Sequence, residues 1–187
     1  MIGCNNRFES KYSSFNTSND KTHSEEDISE YDIRKPYQLD SGDRIRVLVF
    51  GQPALSQVYE LDRSGHISMP LINRVRLKNA TTTQAAARIR AKLRKDIIKS
   101  PDVSVEISTY RPFFILGEVN RGGLFAYVNG MTVKMAVAMA GGYGPRANRK
   151  KFEISRHIRD KDVIRFQVSS SYRPRPGDTI QVMERYF

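Results

Sequence analysis

Ile45, Val47 and Val49 alternate through the stretch Arg44 to Phe50, the period of a strand with one buried face. The same period returns at Val103, Val105 and Ile107, set against Ser104, Glu106 and Ser108. Val58–Leu61 and His66–Met69 flank Asp62-Arg63-Ser64-Gly65, which predicts a hairpin with a glycine-containing loop. Pro70–Leu77 reads as another extended piece. Then the spacing changes. Ala86, Ile89, Leu93 and Ile97 fall on one face of a helix that starts at caps among Thr81, Thr82 and Thr83 and runs to about Lys99. Ser100-Pro101 ends it, because the residue before proline disfavours helix.

A second cycle follows. Phe113–Leu116 is an apolar run long enough for a buried strand, and Arg121-Gly122-Gly123 supplies a turn before an aromatic strand, Leu124 to Val128. Asn129-Gly130 is a tight turn whose two residues tolerate positive φ. Thr132 caps a helix with Val133, Ala136, Val137 and Ala140 on its apolar face, and Gly141-Gly142 stops it with the first glycine left-handed. Strands are expected at Phe152–Arg156, Lys161–Val168 and Thr179–Met183, the last after the turn Arg175-Pro176-Gly177-Asp178. This order predicts an α+β chain: a small mixed β domain with one helix (37–110), then a β-grasp, ubiquitin-like domain (111–187).

Composition changes the picture at the N-terminus. Residues 5–30 are polar and aperiodic, so residues 1–36 are expected to be a disordered tether. Ile2-Gly3-Cys4 matches the end of a bacterial lipobox, which makes Cys4 a candidate for lipidation, although no charged and apolar leader precedes it in this sequence. A chance match would leave a free thiol. Among 187 residues there is no apolar run approaching the eighteen or so of a membrane helix.

Charge is uneven. Residues 1–36 carry five Lys and Arg against seven Asp and Glu; the remainder carries 26 against 13, a net +13. So basic a fold attracts an anionic partner: nucleic acid, a lipid headgroup or an acidic polymer.

The ordered motifs resemble bacterial polysaccharide export proteins. Tyr37, Leu39, Gly42 and Asp43, then Asp62, Gly65, Ile67, Pro70 and Leu71, then Thr82, Ala86, Pro101, Val103, Val105 and Ile107 match the polysaccharide-export domain. Gly117-Glu118-Val119, Gly122 or Gly123, Tyr127, Thr132-Val133, Ala136-Val137 and Ala140-Gly141-Gly142 match the soluble-ligand-binding β-grasp (SLBB) module. Arg121-Gly122-Gly123 stands where the family commonly has proline-glycine. The resemblance covers about Tyr37 to Phe187. It implies a non-enzymatic component of capsular or exopolysaccharide export in the periplasm or outer membrane, lipoprotein-like if Cys4 is acylated. It also implies a homo-oligomeric conduit and an inner-membrane co-polymerase or tyrosine-kinase partner. Larger members add further modules and a C-terminal pore helix, so the resemblance leaves pore formation by this stretch open.

No catalytic constellation and no cofactor or metal site is expected. Ser155 and His157 lack a partner acid at telling spacing, and His23, His66 and His157 are isolated. Gly141-Gly142-Tyr143-Gly144-Pro145 follows a helix, whereas a phosphate loop precedes one. The candidate polysaccharide contacts are Tyr143, as a platform for a sugar ring, with Arg146, Arg149, Lys150 and Lys151, read as a loop of convergent cations. The bland alternative is a solvated basic loop. The competing function is a basic nucleic-acid-binding module using the cations of the Thr81–Lys99 helix, although no RNA-recognition aromatic signature, zinc finger or helix-turn-helix is visible.

Overall fold

A computed structural model describes residues 36–157 and 163–185. Cys4 and the tether assigned to residues 1–36, Pro36 excepted, lie outside the described residues. The fold is α+β. Ten strands form three sheets in the described residues, with two α-helices and one short 3-10 turn at Pro53–Leu55.

The first hydrophobic core gathers under a three-stranded antiparallel sheet of order β2-β1-β5: β1 (Arg44–Val49), β2 (Val58–Glu60) and β5 (Val103–Thr109). The alternation expected in β1 and β5 is present, with Ile45, Val47, Val49, Val103 and Val105 buried. Helix α1 (Thr82–Asp96) packs beside this sheet and buries Ala85, Ala86, Ile89 and Leu93. Its start is a full capping box: the Thr81 hydroxyl accepts from Gln84 N–H at 3.2 Å, and the Gln84 side chain accepts from Thr81 N–H at 3.0 Å.

Three expectations for this half are corrected. Helix α1 ends at Asp96, three residues before Lys99, so Ile97 lies at the surface and Ile98 packs on the core in its place. Val58–Leu61 and His66–Met69 are not the two arms of one hairpin. The turn is there, with Asp62 N–H bonded to His66 O at 2.8 Å, but β2 pairs with β1, while β3 (His66–Met69) pairs with β4 (Asn73–Arg76). The hairpin joining β3 and β4 closes over Pro70-Leu71-Ile72, with Leu71 held at φ 68°.

The second core lies under a five-stranded sheet of order β7-β6-β10-β8-β9. Its strands are β6 (Phe113–Gly117), β7 (Gly123–Phe125), β8 (Ala147–His157), β9 (Val163–Val168) and β10 (Thr179–Glu184). The central pair β6–β10 is parallel and the others are antiparallel, and α2 (Val133–Met139) buries Val133, Ala136 and Val137 against the core. First and last strands paired in parallel at the middle of a mixed sheet, with a helix across it, make the β-grasp arrangement. Thr132 caps α2 by accepting from Met135 N–H. Gly141 and Gly142 close it with bonds to Ala138 O and Val137 O, a Schellman stop that needs Gly141 at its φ of 80°.

Four details differ from expectation here. Phe113–Leu116 is half-buried, with Phe114 and Leu116 facing out. The strand expected over Leu124–Val128 is β7, ending at Phe125, and Tyr127 anchors the following segment through its hydroxyl to Pro174 O. Of Asn129-Gly130 only Gly130 takes positive φ, as the third position of the turn closed by Met131 N–H on Val128 O. Finally, Arg149, Lys150 and Lys151 belong to strand β8 and not to a loop.

Arg111 joins the two cores. Its N–H donates to the buried Asp43 carboxylate at 2.9 Å, and its guanidinium lies 3.1 Å from the Tyr37 hydroxyl and 3.4 Å from Asp43 Oδ2. Beside it, Tyr37, Tyr110 and Tyr127 meet edge to face in a chain, with centroids 5.0 and 5.4 Å apart. Burial pushes the Tyr37 phenol well above its ordinary pKa; Arg111 opposes the shift and Asp43 adds to it.

Candidate polysaccharide-contact site

Past the helix stop, Tyr143 bridges back to Val119, and Gly144 N–H donates to Glu118 O at 2.9 Å. Arg146 follows. Its guanidinium stands 3.5 Å from Glu184 and 3.9 Å from Glu118, and its N–H donates to Glu118 Oε2. Arg146 therefore pins the ends of β6 and β10 together, and its charge is balanced by two carboxylates.

Beyond Arg146 the sheet opens. Between Ala147 and Phe152 strand β8 takes five steps, while β10 takes two from Glu184 to Val182, so three residues loop out of register. Asn148 shapes this bulge: its side-chain oxygen accepts from the N–H groups of Lys150 and Lys151 at 3.0 and 3.3 Å. Arg149 folds over the Tyr143 ring at 5.3 Å. Tyr143 is itself partly buried, 6.3 Å from the Phe152 ring. Its face thus carries a guanidinium, which alters the expected role of an open sugar platform. Among the described residues no carboxylate pairs with Arg149, Lys150 or Lys151, and all three are exposed.

The structure therefore divides the five candidates: Arg149, Lys150 and Lys151 are a run of consecutive exposed cations with no carboxylate partner among the described residues, Tyr143 packs under Arg149, and Arg146 belongs to the framework. Asn148 was not among the expected site residues. Its signal was an asparagine two and three residues before the amides it binds, a local turn habit of that side chain. Exposed ion pairs contribute about 0–1 kcal/mol each. Such a patch holds one anionic group weakly and gains strength when a polymer offers several.

The cations of α1 are arranged otherwise. Arg88 donates to Arg76 O at 3.0 Å, Arg90 to Val103 O at 3.3 Å, and Lys92 to Arg74 O at 2.5 Å, so these three hold strand carbonyls. Arg94 and Lys95 stand in the last turn, where the helix dipole favours positive charge.

One cluster has the composition of a catalytic triad. Ser64 Oγ lies 2.6 Å from Asp62 Oδ1 and 3.0 Å from His66 Nδ1. The geometry differs from a triad, in which histidine stands between serine and acid. Here the serine hydroxyl donates directly to the carboxylate and accepts from Arg74 at 2.6 Å. Hydrogen bonds from Ser64, His66 N–H and Arg74 hold the Asp62 carboxyl well below the usual carboxylate range in the exposed β2–β3 turn. Among the described residues no three His, Cys, Asp or Glu side chains converge on a metal position, and no helix is long and apolar enough to cross a membrane.

Comparison with known proteins agrees with the two-cycle architecture. Residues 32–108 match the family model described as polysaccharide biosynthesis/export protein, and residues 112–167 match the SLBB domain. Over 101 residues the chain is 33% identical to the exopolysaccharide production protein ExoF of Rhizobium meliloti (strain 1021), an alignment covering 53% of this chain and 24% of that relative. The chain thus spans about a quarter of the length of the curated relative it matches. It belongs to the polysaccharide export protein family.

Proposed function

We propose that this chain is a non-enzymatic component of the cell envelope that guides an anionic capsular or exopolysaccharide during export, contacting the polymer at the β8 bulge. Family membership supplies the role in export. The observation that carries the contact is three consecutive exposed cations, Arg149, Lys150 and Lys151, in the part of β8 where its register against β10 shifts, with no carboxylate partner among the described residues. Polysaccharide is favoured over nucleic acid by the matches to polysaccharide export and exopolysaccharide production proteins.

In this reading residues 37–110 form the polysaccharide-export domain and 111–187 the SLBB domain, assembled as a homo-oligomeric conduit. Residues 1–36 tether it, with Cys4 as the lipid attachment point, in the periplasm or at the outer membrane. An inner-membrane co-polymerase with a tyrosine-kinase or chain-length role is the partner. Fractionation of Cys4→Ala tests the anchor: membrane association that persists unchanged would exclude it.

The contact is tested by titrating the protein with surface polysaccharide purified from the producing cells, at several salt concentrations. Binding should weaken as salt rises. Changing Arg149, Lys150 and Lys151 together to Ala should weaken it by about tenfold or more. Equal affinity in the variant and wild type would remove the bulge as the contact.

A further inference from the structure

The outward face of the five-stranded sheet serves neither core. Phe113, Ile115, Phe152, Ile154, Ile180 and Val182 point inward and are buried, so their neighbours in each strand face away. Strand register sets these outward residues in two rows. One runs Leu124, Phe114, Thr179, Ser155, Arg165; the next runs Leu116, Gln181, Glu153, Gln167. Each row is apolar at the β7–β6 end and polar across β10, β8 and β9. Phe114, Leu116 and Leu124 are 45%, 46% and 56% exposed.

The pattern discriminates between occupants. An apolar protein surface would strip water from the amides, hydroxyls, carboxylate and guanidinium of the polar end without satisfying them. A wholly polar ligand would leave Phe114 and its neighbours uncovered. A pyranose ring offers both surfaces, an apolar C–H face and a rim of hydroxyls. The face is also continuous with the bulge, because β8 carries Ser155 and Glu153 and then runs back to Lys151.

We infer that this sheet face is a platform for a run of sugar residues, separate from the cationic contact. Ring C–H faces lie over Phe114 and Leu124. Hydroxyls donate to Glu153 and exchange hydrogen bonds with Gln181 and Gln167, and acidic substituents reach the bulge. The inference rests on the proposed role in polysaccharide export and adds a salt-insensitive subsite to it.

The test is amide chemical-shift mapping on the full chain with oligosaccharides cut from the producing cells' own surface polymer, at low and at high salt. Shifts should appear along both rows and persist at high salt, while those at Arg149–Lys151 fade. Phe114→Ala and, separately, Leu124→Ala should weaken the high-salt binding about five- to tenfold, and both side chains are exposed enough for the fold to tolerate the change. Shifts confined to the bulge would overturn the platform and leave the export contact standing. No shifts at either place would overturn both. A Phe114→Ala variant that changes the oligomeric state and leaves glycan shifts intact would reassign the face to a second copy of the chain.

Discussion

Strand β8 carries arginines at both ends, and the two ends use them in opposite ways. Near its C-terminal end Arg156, with a side chain only 12% exposed, donates from Nε and Nη2 to the two oxygens of the buried Asp178 at 2.8 and 2.7 Å. At the other end Arg149, Lys150 and Lys151 face solvent. The first arrangement closes a charge inside the fold. The second leaves charge exposed, with no carboxylate partner among the described residues. A count of basic residues cannot separate these cases, because the difference lies in which carboxylates the topology brings within reach.

A third case stands between them. Asp43 and Asp178 end matching turns: Gly42 and Gly177 have φ of 86° and 84°, and each aspartate accepts from the N–H three residues earlier, at 2.8 and 2.7 Å. Yet Asp178 has a bidentate arginine from the adjacent strand, whereas Asp43 relies on the Tyr37 hydroxyl, the Arg111 amide and a guanidinium at 3.4 Å. One turn is neutralised within its own half and the other across the junction.

The largest effect is expected of Arg156→Ala. It strands Asp178 in the interior and should destabilise the protein by about 3–5 kcal/mol in denaturant unfolding. A loss under about 1 kcal/mol would show that the pair is not closed as described. Next is Gly177→Ala, about 2 kcal/mol, since a left-handed site resists any Cβ and this Cβ would meet Arg111 Nε at 2.6 Å. Gly42→Ala should lose only the strain, about 1 kcal/mol, because its Cβ would find Arg111 Cβ at an ordinary 3.6 Å. Part of the Gly177→Ala loss should vanish in an Arg111→Ala background, and strict additivity would deny the contact. Arg111→Ala alone should remove about 1–2 kcal/mol, because the backbone amide and Tyr37 still hold Asp43.

The smallest effect concerns alkaline pH. The folded Tyr37 phenol keeps its proton above the ordinary phenol value of about 10, where the unfolded chain releases it. Its contribution is therefore complete below that pH and falls as pH rises past it. Stability measured from pH 8 to 11 should decline less steeply in Tyr37→Phe than in wild type, from a lower starting point.

Much of the fold is legible in the sequence, because period-two burial in β1 and β5 and the capping residues Thr81 and Thr132 act locally. Strand partners are less so. The Asp62–Gly65 turn was plain, but adjacency suggested that its flanks pair, and instead β2 joins β1. Arg111 was invisible for a related reason: it lies 68 residues from Asp43 and its shortest contact is a backbone amide, which no side-chain pattern reports. At the candidate site the cations could be read, but Arg146's two carboxylates and Arg149's stacking on Tyr143 arise from tertiary contact.

In the proposed function the bulge serves a ligand and not the fold. The direct measurement is surface polysaccharide in cells whose own gene is replaced by the Arg149, Lys150 and Lys151 to Ala variant, with unfolding stability measured in parallel. Stability within about 0.5 kcal/mol of wild type together with a clear fall in surface polymer is the predicted result. Normal polymer from a protein present at normal level would contradict it.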